Sequence, residues 1–192
     1  MLIAYFLTGH DNDSYFFETA PDELFCPNCK SCLDESYLPE NIKIPKKYDI
    51  GSSYDGRDIV SARFKAFCEE HYPDEADFFP ITKKLDFYCM KPRRILVFDT
   101  EKRNTKFEGL CPVCGNYKSI TGRSPGILKY QHDPIEQGFY RTDVVFGSGR
   151  GKSPVIIIGL KTKLEIQERR FSKPCFNPIY DELPPPVSRK AD

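Results

Sequence analysis

The sequence predicts an α+β fold: a single domain over residues 1–180, made of two similar strand-helix-strand halves with short strands and stapled by a pair of cysteine knuckles. Three observations lead there. The 192 residues suffice for one domain with a sizeable core and are too few for two of ordinary size. Short strand-like runs flank two stretches with apolar residues at helical spacing. Two Cys-x-x-Cys pairs stand 81 residues apart, so a site shared between them would tie distant parts of one unit together.

Residues 2–7 and 15–19, separated by the turn-rich Gly9-His10-Asp11-Asn12-Asp13, are expected to form a β-hairpin. Between 38 and 51 Pro39, Pro45 and Gly51 with several lysines predict an irregular connection. A strand over 58–61 leads into a helix over 62–71, where Phe64, Phe67 and Cys68 share a face and Ser61 is placed to cap. Residues 78–81, 87–90 and 95–99 are expected to be short strands. Laid on itself with an offset of 98, the chain repeats: Ile59 falls on Ile157, Lys65 on Lys163, Glu70 on Glu168, Phe78 on Phe176, Pro80 on Pro178 and Ile81 on Ile179. The second copy is then strand 155–159, helix 160–170 and strand 175–179, with Phe78 and Phe176 both expected in the core. Residues 181–192 form a Pro-rich tail expected to be disordered.

Hydrophobic residues at 40%, charged residues at 29% and 26 Tyr and Phe describe a chain that folds. Twenty-eight Lys and Arg balance 28 Asp and Glu, so the chain as a whole lacks the basic excess that non-specific nucleic-acid or anionic-membrane binding needs. The charge is uneven: residues 1–40 carry eight acids and one base, 91–130 nine bases and three acids, and each stretch holds one cysteine pair. If the pairs meet, the two excesses are expected to lie side by side and offset each other. The longest apolar runs, 2–7 and 155–158, fall far short of the roughly 18 residues of a membrane span. No basic residue precedes the first run and no small-residue cleavage site follows it, so no signal peptide is expected. With cysteines arranged as metal-type pairs, the compartment is read as reducing and cytoplasmic.

The chemistry with the strongest motif is Cys26-Pro-Asn-Cys29 with Cys111-Pro-Val-Cys114-Gly115. Each Cys-x-x-Cys turn aims two sulfurs at one point, and two turns supply the four soft ligands of a closed tetrahedral site, for which structural zinc is the expected cofactor and mononuclear iron the second choice. Cys32 extends the first pair to Cys26-x-x-Cys29-x-x-Cys32 and leaves the ligand set open at that position. Cys68-Glu-Glu-His71 could ligate across one helix turn, but Cys68 continues an apolar face and His71 sits where a cation suits a helix C-terminus. Cys89 and Cys175 are read as small core residues. Residues 146–153 look like a phosphate loop only superficially: Phe146 stands where the first Gly is needed, and Pro154 with the apolar run after it promises a strand rather than a helix. Arg93, Arg94, Lys102, Arg103 and Lys106 beside Phe98, Phe107 and Tyr117 are a mixture zinc ribbons use for nucleic acid, and equally a solvated basic face.

Segment 58–67, the later Phe-x-Pro-Ile, the Cys-Pro-x-Cys-Gly knuckle and 140–147 together resemble bacterial immunity proteins, most nearly the double Cys-x-x-Cys type found beside toxins of polymorphic toxin systems. In that family the closing segment runs through a Ser-Pro-hydrophobic strand to a final Phe-x-Pro-Ile-like strand, as 153–158 and 176–179 do here. The resemblance covers much of 25–180 and departs at Lys30, where a Gly is usual, and in the long insert between the pairs. It implies a non-catalytic cytoplasmic inhibitor whose partner is a cognate protein toxin. The residues themselves leave a nucleic-acid-binding zinc ribbon, using 91–130, as the alternative; a zinc enzyme would need an open coordination position that four cysteines do not leave.

Overall fold

The computed structural model describes residues 1–183, so the expected Pro-rich tail lies outside the described residues except for its first three positions, where Asp181 N donates to Met1 O at 3.0 Å. The strands are β1 (Leu2–Asp11), β2 (Ile50–Ser52), β3 (Asp58–Ser61), β4 (Ala76–Pro80), β5 (Phe87–Pro92), β6 (Arg94–Leu96), β7 (Lys106–Leu110), β8 (Tyr117–Thr121), β9 (Gly126–Ile127), β10 (Phe139–Thr142), β11 (Gly147–Ser148), β12 (Ile156–Ile158) and β13 (Pro174–Tyr180). Helix α1 (Ala62–His71) follows β3 and helix α2 (Leu160–Glu168) follows β12. The fold is α+β, dominated by a ten-stranded curled sheet in the order β4-β5-β3-β2-β1-β12-β10-β6, with β13 on β1 and β9 on β13, and a separate three-stranded sheet β11-β8-β7. None of the described helices is long and apolar enough to cross a membrane.

β1 is the hub. Ile3, Ala4, Phe6 and Leu7 are buried, so both faces are covered and the strand is a continuous apolar run rather than an alternating one. At Tyr5, Phe6 and Leu7 it pairs antiparallel with β12 on one edge and β13 on the other, and at His10 and Asp11 it pairs parallel with β2. The expected hairpin with 15–19 is therefore absent, because neither edge of β1 is free there. Residues 16–19 form a turn whose donors go to a side chain: Phe16 N and Phe17 N donate to the Asp55 carboxylate at 2.9 and 2.8 Å. The crossing from β1 to β2 requires glycine. A Cβ on Gly9 would lie 2.3 Å from Gly51 Cα, so any side chain there forces the two backbones apart.

Both helical segments are strand-helix-strand units with a third strand slotted between the outer two. β3 and β4 flank β5 in the triplets Ile59–Cys89–Phe79 and Val60–Tyr88–Pro80. β12 and β13 flank β1 in the triplets Ile157–Phe6–Asn177 and Ile158–Tyr5–Pro178. Ser61 caps α1, its hydroxyl accepting from Phe64 N at 3.2 Å. Gly159 cannot cap α2 in that way; Leu160 N and Lys161 N instead donate to the carbonyls of Ile135 and Glu136, each at 2.8 Å. α2 ends two residues before the expected position, since Arg170 turns to φ 52° and sends Phe171 into the core.

Phe64, Phe67 and Cys68 of α1 and Ile166 of α2 pack on one sheet face with Leu7, Val60, Met90, Ile156 and Ile158. The Tyr72 hydroxyl, just past α1, donates to Glu165 of α2 and locks the helices together. Phe78 and Phe176 reach this cluster only from its margin and stay half-buried, because their strands are the outer members of their triplets. The opposite face is covered by two further clusters. One is built on Phe6, Phe98, Ile120, Phe146 and Ile157, the other on Phe16, Phe17, Phe25, Ile42 and Ile44 from the irregular segment 12–48 packed on Ile59 of β3.

Replacing Gly9 with Ala should destabilise the fold by about 1–3 kcal/mol, the usual cost of overpacking. Gly149→Ala, at φ +51° with open space around it, should cost only about 1 kcal/mol from backbone strain. Urea denaturation of the two variants checks the order; equal effects would show that the β1–β2 approach is not tight.

Candidate metal centre

The two Cys-x-x-Cys segments fold into the same turn. In the first, Lys30 N donates to Cys26 O and Cys26 N to Ser31 O, both at 2.9 Å. In the second, Gly115 N donates to Cys111 O and Cys111 N to Asn116 O, again at 2.9 Å. The fifth residue is left-handed in both, φ 61° at Lys30 and 72° at Gly115. Lys30 thus adopts the conformation that favours glycine, and the turn is the same in both segments. The first turn follows a short 3-10 turn (Asp22–Leu24) and is closed by a bridge between Phe25 and Cys32; the second is the tip of the β7–β8 hairpin.

All four predicted cysteines come together. Their sulfurs lie within 4.8 Å of one another, with Cys26 Sγ 3.7 Å from Cys111 Sγ and Cys29 Sγ 3.5 Å from Cys114 Sγ. Sulfurs about 2.3 Å from one zinc at tetrahedral angles stand about 3.8 Å apart, so the donor set and its size fit a metal ion. A disulfide needs about 2.05 Å, and all eight cysteines are free thiols. Cys26, Cys29 and Cys111 are buried and Cys114 is partly so, a closed site rather than an open one.

Neighbours beyond the sulfurs tune them. Asn28 Nδ2 donates to Cys111 Sγ at 3.3 Å, and with the backbone N–H groups of Cys114 and Val113 it draws that thiol down to about 6. The Ser31 hydroxyl, 3.1 Å from Cys29 Sγ, and the Ser31 N–H lower Cys29 as well. At Cys114 the Asn116 N–H pulls downward, but desolvation and the sulfurs of Cys29, Cys26 and Cys111 prevail and push it up to about 11. Four thiolates so close do not all ionise without a cation among them. Asn28, Ser31 and Asn116 were not singled out from the sequence, although their positions within and just after the Cys-x-x-Cys turns are where second-layer donors sit.

Among the described residues these four are the one group of three or more His, Cys, Asp or Glu gathered tightly enough to hold an ion. Cys32 stays outside it, its thiol donating to Asp34 O at 3.2 Å. Cys68 is buried in the helix core, where desolvation drives its thiol far upward, and His71 Nε2 is 2.9 Å from an Arg169 guanidinium nitrogen. Cys89 is held up to about 11 by burial. The glycine-rich segment 147–151 is the short strand β11 followed by a 3-10 turn, and the buried Lys152 ammonium donates to Tyr117 O, so it is not presented to a phosphate. Although the acidic stretch 1–40 and the basic stretch 91–130 also share the apolar cluster around Phe6 and Phe98, no ion pair joins them among the described residues. Arg93 pairs with Asp74 and Asp77, Arg94 with Glu75, Asp13 with Lys46 and Asp22 with Arg150.

No family model matches the chain, and no curated protein or solved structure is significantly similar to it.

Purified protein should carry close to one zinc per chain by metal analysis and lose it on acidification, since protons compete for the same thiolates. Cys111→Ser should abolish that stoichiometry and cost several kcal/mol, whereas Cys175→Ser should leave it unchanged. Folded, metal-free protein would contradict this. Lys30→Gly should raise stability by about 1 kcal/mol by relieving the left-handed strain, read as an upward shift in thermal midpoint.

Proposed function

We propose that the chain is a non-catalytic immunity protein of the cytoplasm that binds and neutralises a cognate bacterial toxin, with one structural zinc at Cys26, Cys29, Cys111 and Cys114. The observation that carries this reading is the character of the cysteine cluster. Its ligands close on one another, and they join a covering segment to a hairpin, which is the task of a scaffold element and not of a reaction centre. The segments that resemble immunity proteins support it by where they fall: 58–67 spans β3 and the first half of α1, 140–147 spans β10 and the turn after it, and 153–158 and 176–179 end in β12 and β13. They form the framework around the hub strand rather than scattered loops.

The framework also carries the two-halves reading. Every flanking residue in the triplets around β1 lies 98 positions after its counterpart around β5, namely Ile59 and Ile157, Val60 and Ile158, Phe79 and Asn177, and Pro80 and Pro178. We take the domain as two related strand-helix-strand units that differ in where their central strand comes from, after the second strand in one and at the chain's start in the other.

Co-expression with the toxin encoded next to it should restore growth, and the two proteins should co-purify at a fixed ratio. Failure to rescue any neighbouring toxin, or recovery of DNA or RNA with a steep salt dependence, would reject this function and favour nucleic-acid binding through 91–130.

A further inference from the structure

Away from the metal centre, the carboxylate of Asp58 at the start of β3 belongs to no ion pair or hydrogen bond among the described residues. It lines a cavity of about 590 Å³ formed where the β2–β3 turn, the end of β8 and the glycine-rich turn after β10 meet. The other charged residues on that lining are Asp11 and Arg123, so carboxylates outnumber cations. Three wall hydroxyls are engaged within the protein: Ser153 Oγ donates to Gly56 O at 2.7 Å, Ser52 Oγ donates to Gly9 O at 3.4 Å and Ser53 Oγ accepts from Arg57 N at 3.0 Å. Arg57 is engaged too, donating to Lys152 O at 2.6 Å with its guanidinium 4.9 Å from the Phe17 ring centre. The charged side chains of this lining that have no hydrogen bond or ion pair among the described residues are the Asp58 carboxylate and the Arg123 guanidinium, and with Asp11 the lining keeps an excess of negative charge. Desolvation pushes Asp58 up to about 7, a rise that the Arg123 and Arg57 charges only partly counter, and a cation brought alongside would relieve that cost.

The mouth has the matching aromatic feature. Tyr54 borders both this cavity and an adjoining groove of about 810 Å³, which also contains Tyr15, Glu18 and Asp55. Tyr54 is 70% exposed and Tyr15 50%, with ring centres 5.3 Å apart. Exposed aromatic faces beside a carboxylate are the arrangement that attracts organic cations.

We propose that this cavity binds a guanidinium or alkylammonium group, with Asp58 as its counter-ion and the Tyr15–Tyr54 pair as the aromatic wall at its entrance. The cation is either a basic side chain of a protein or a free arginine-like molecule. The site stands on its own residues and does not depend on the toxin reading.

The test titrates the full-length, metal-loaded protein with N-acetyl-L-arginine methylamide, which mimics a side chain within a polypeptide, and with free L-arginine, following the backbone amides of Ser53, Asp58 and Arg123 by NMR. The neutral isostere N-acetyl-L-citrulline methylamide is the control. Saturable shifts are expected, at least about tenfold weaker for citrulline and in Asp58→Asn, as for loss of a charge partner. Tyr54→Ala, which removes an exposed ring, should weaken binding about threefold and provides the measurement if Asp58→Asn does not fold. Tighter binding of the capped probe assigns the cation to a protein side chain, and tighter binding of free arginine assigns it to a small molecule. No saturable shift, equal binding of citrulline, or undiminished binding in the variants overturns the site.

Discussion

Four sulfurs within 4.8 Å of one another are the constraint that the surrounding chain has to satisfy. Two come from a turn in an irregular segment and two from the tip of a hairpin. All of β7 is exposed, and the first turn rests on a 3-10 turn and a single bridge. The cluster adds an anchor to the burial of Phe25 and Ile120, and the two turns share one hydrogen-bond pattern despite Lys30 in a left-handed conformation. The strain at Lys30 is about 1–2 kcal/mol, small beside the free energy a tetrathiolate site returns on binding metal.

The covering segment is anchored at its other end by the sheet. Asp55 accepts from Phe16 N and Phe17 N, and Phe16 and Phe17 then fill the cluster under Ile59 and Phe87. Segment 12–48 is therefore held at its start by a carboxylate, in its middle by thiols, and at Ile42 and Ile44 by apolar burial. A long segment without regular structure needs such spaced attachments, because ordering each residue costs about 1–2 kcal/mol of backbone entropy.

What the sequence made legible follows from which interactions are local. Helix α1, its Ser61 cap and its buried face could be read because cap and periodicity lie within ten residues. The sulfur set could be read because the Cys-x-x-Cys spacing fixes the local geometry whatever lies between the pairs. The hairpin of 2–7 with 15–19 was misread because strand pairing is non-local: β1 takes partners from 50–52, 156–158 and 174–180, and no pattern near residue 11 reports them. β7 and β8 were missed for a related reason. They bury little besides Ile120, so they carry no clean alternation, and their ties to the rest of the molecule come from the cysteines at the turn and from residues 147–152. Asp58 read as an ordinary strand-opening residue, because beyond 52–56 the residues that share its cavity come from 8–11 and 120–155.

The glycine-rich turn gives the metal centre and the cavity a shared physical support. Arg150 lays its guanidinium over the Phe25 ring at 4.0 Å, and Phe25 immediately precedes Cys26. Lys152 donates to Tyr117 O, and Tyr117 begins the strand that leaves the second cysteine turn. Two residues of one short segment thus touch the chain flanking both cysteine pairs. The same segment walls the cavity: a Cβ on Gly56 or on Gly147 would lie 2.5 Å from Gly151 O, so these backbones are in direct contact and cannot shift independently. A change in how the sulfurs are held therefore has a contiguous route, through Phe25 and Tyr117 to Arg150 and Lys152 and on to Gly151, to the surface beside Asp58. Packed backbones without side chains between them transmit displacement with little loss, since there are no rotamers to absorb it. Glycines at 56, 147 and 151 are what the fold uses to bring that wall so close, and they explain the resemblance to a phosphate loop in a segment that has no free lysine to bind one.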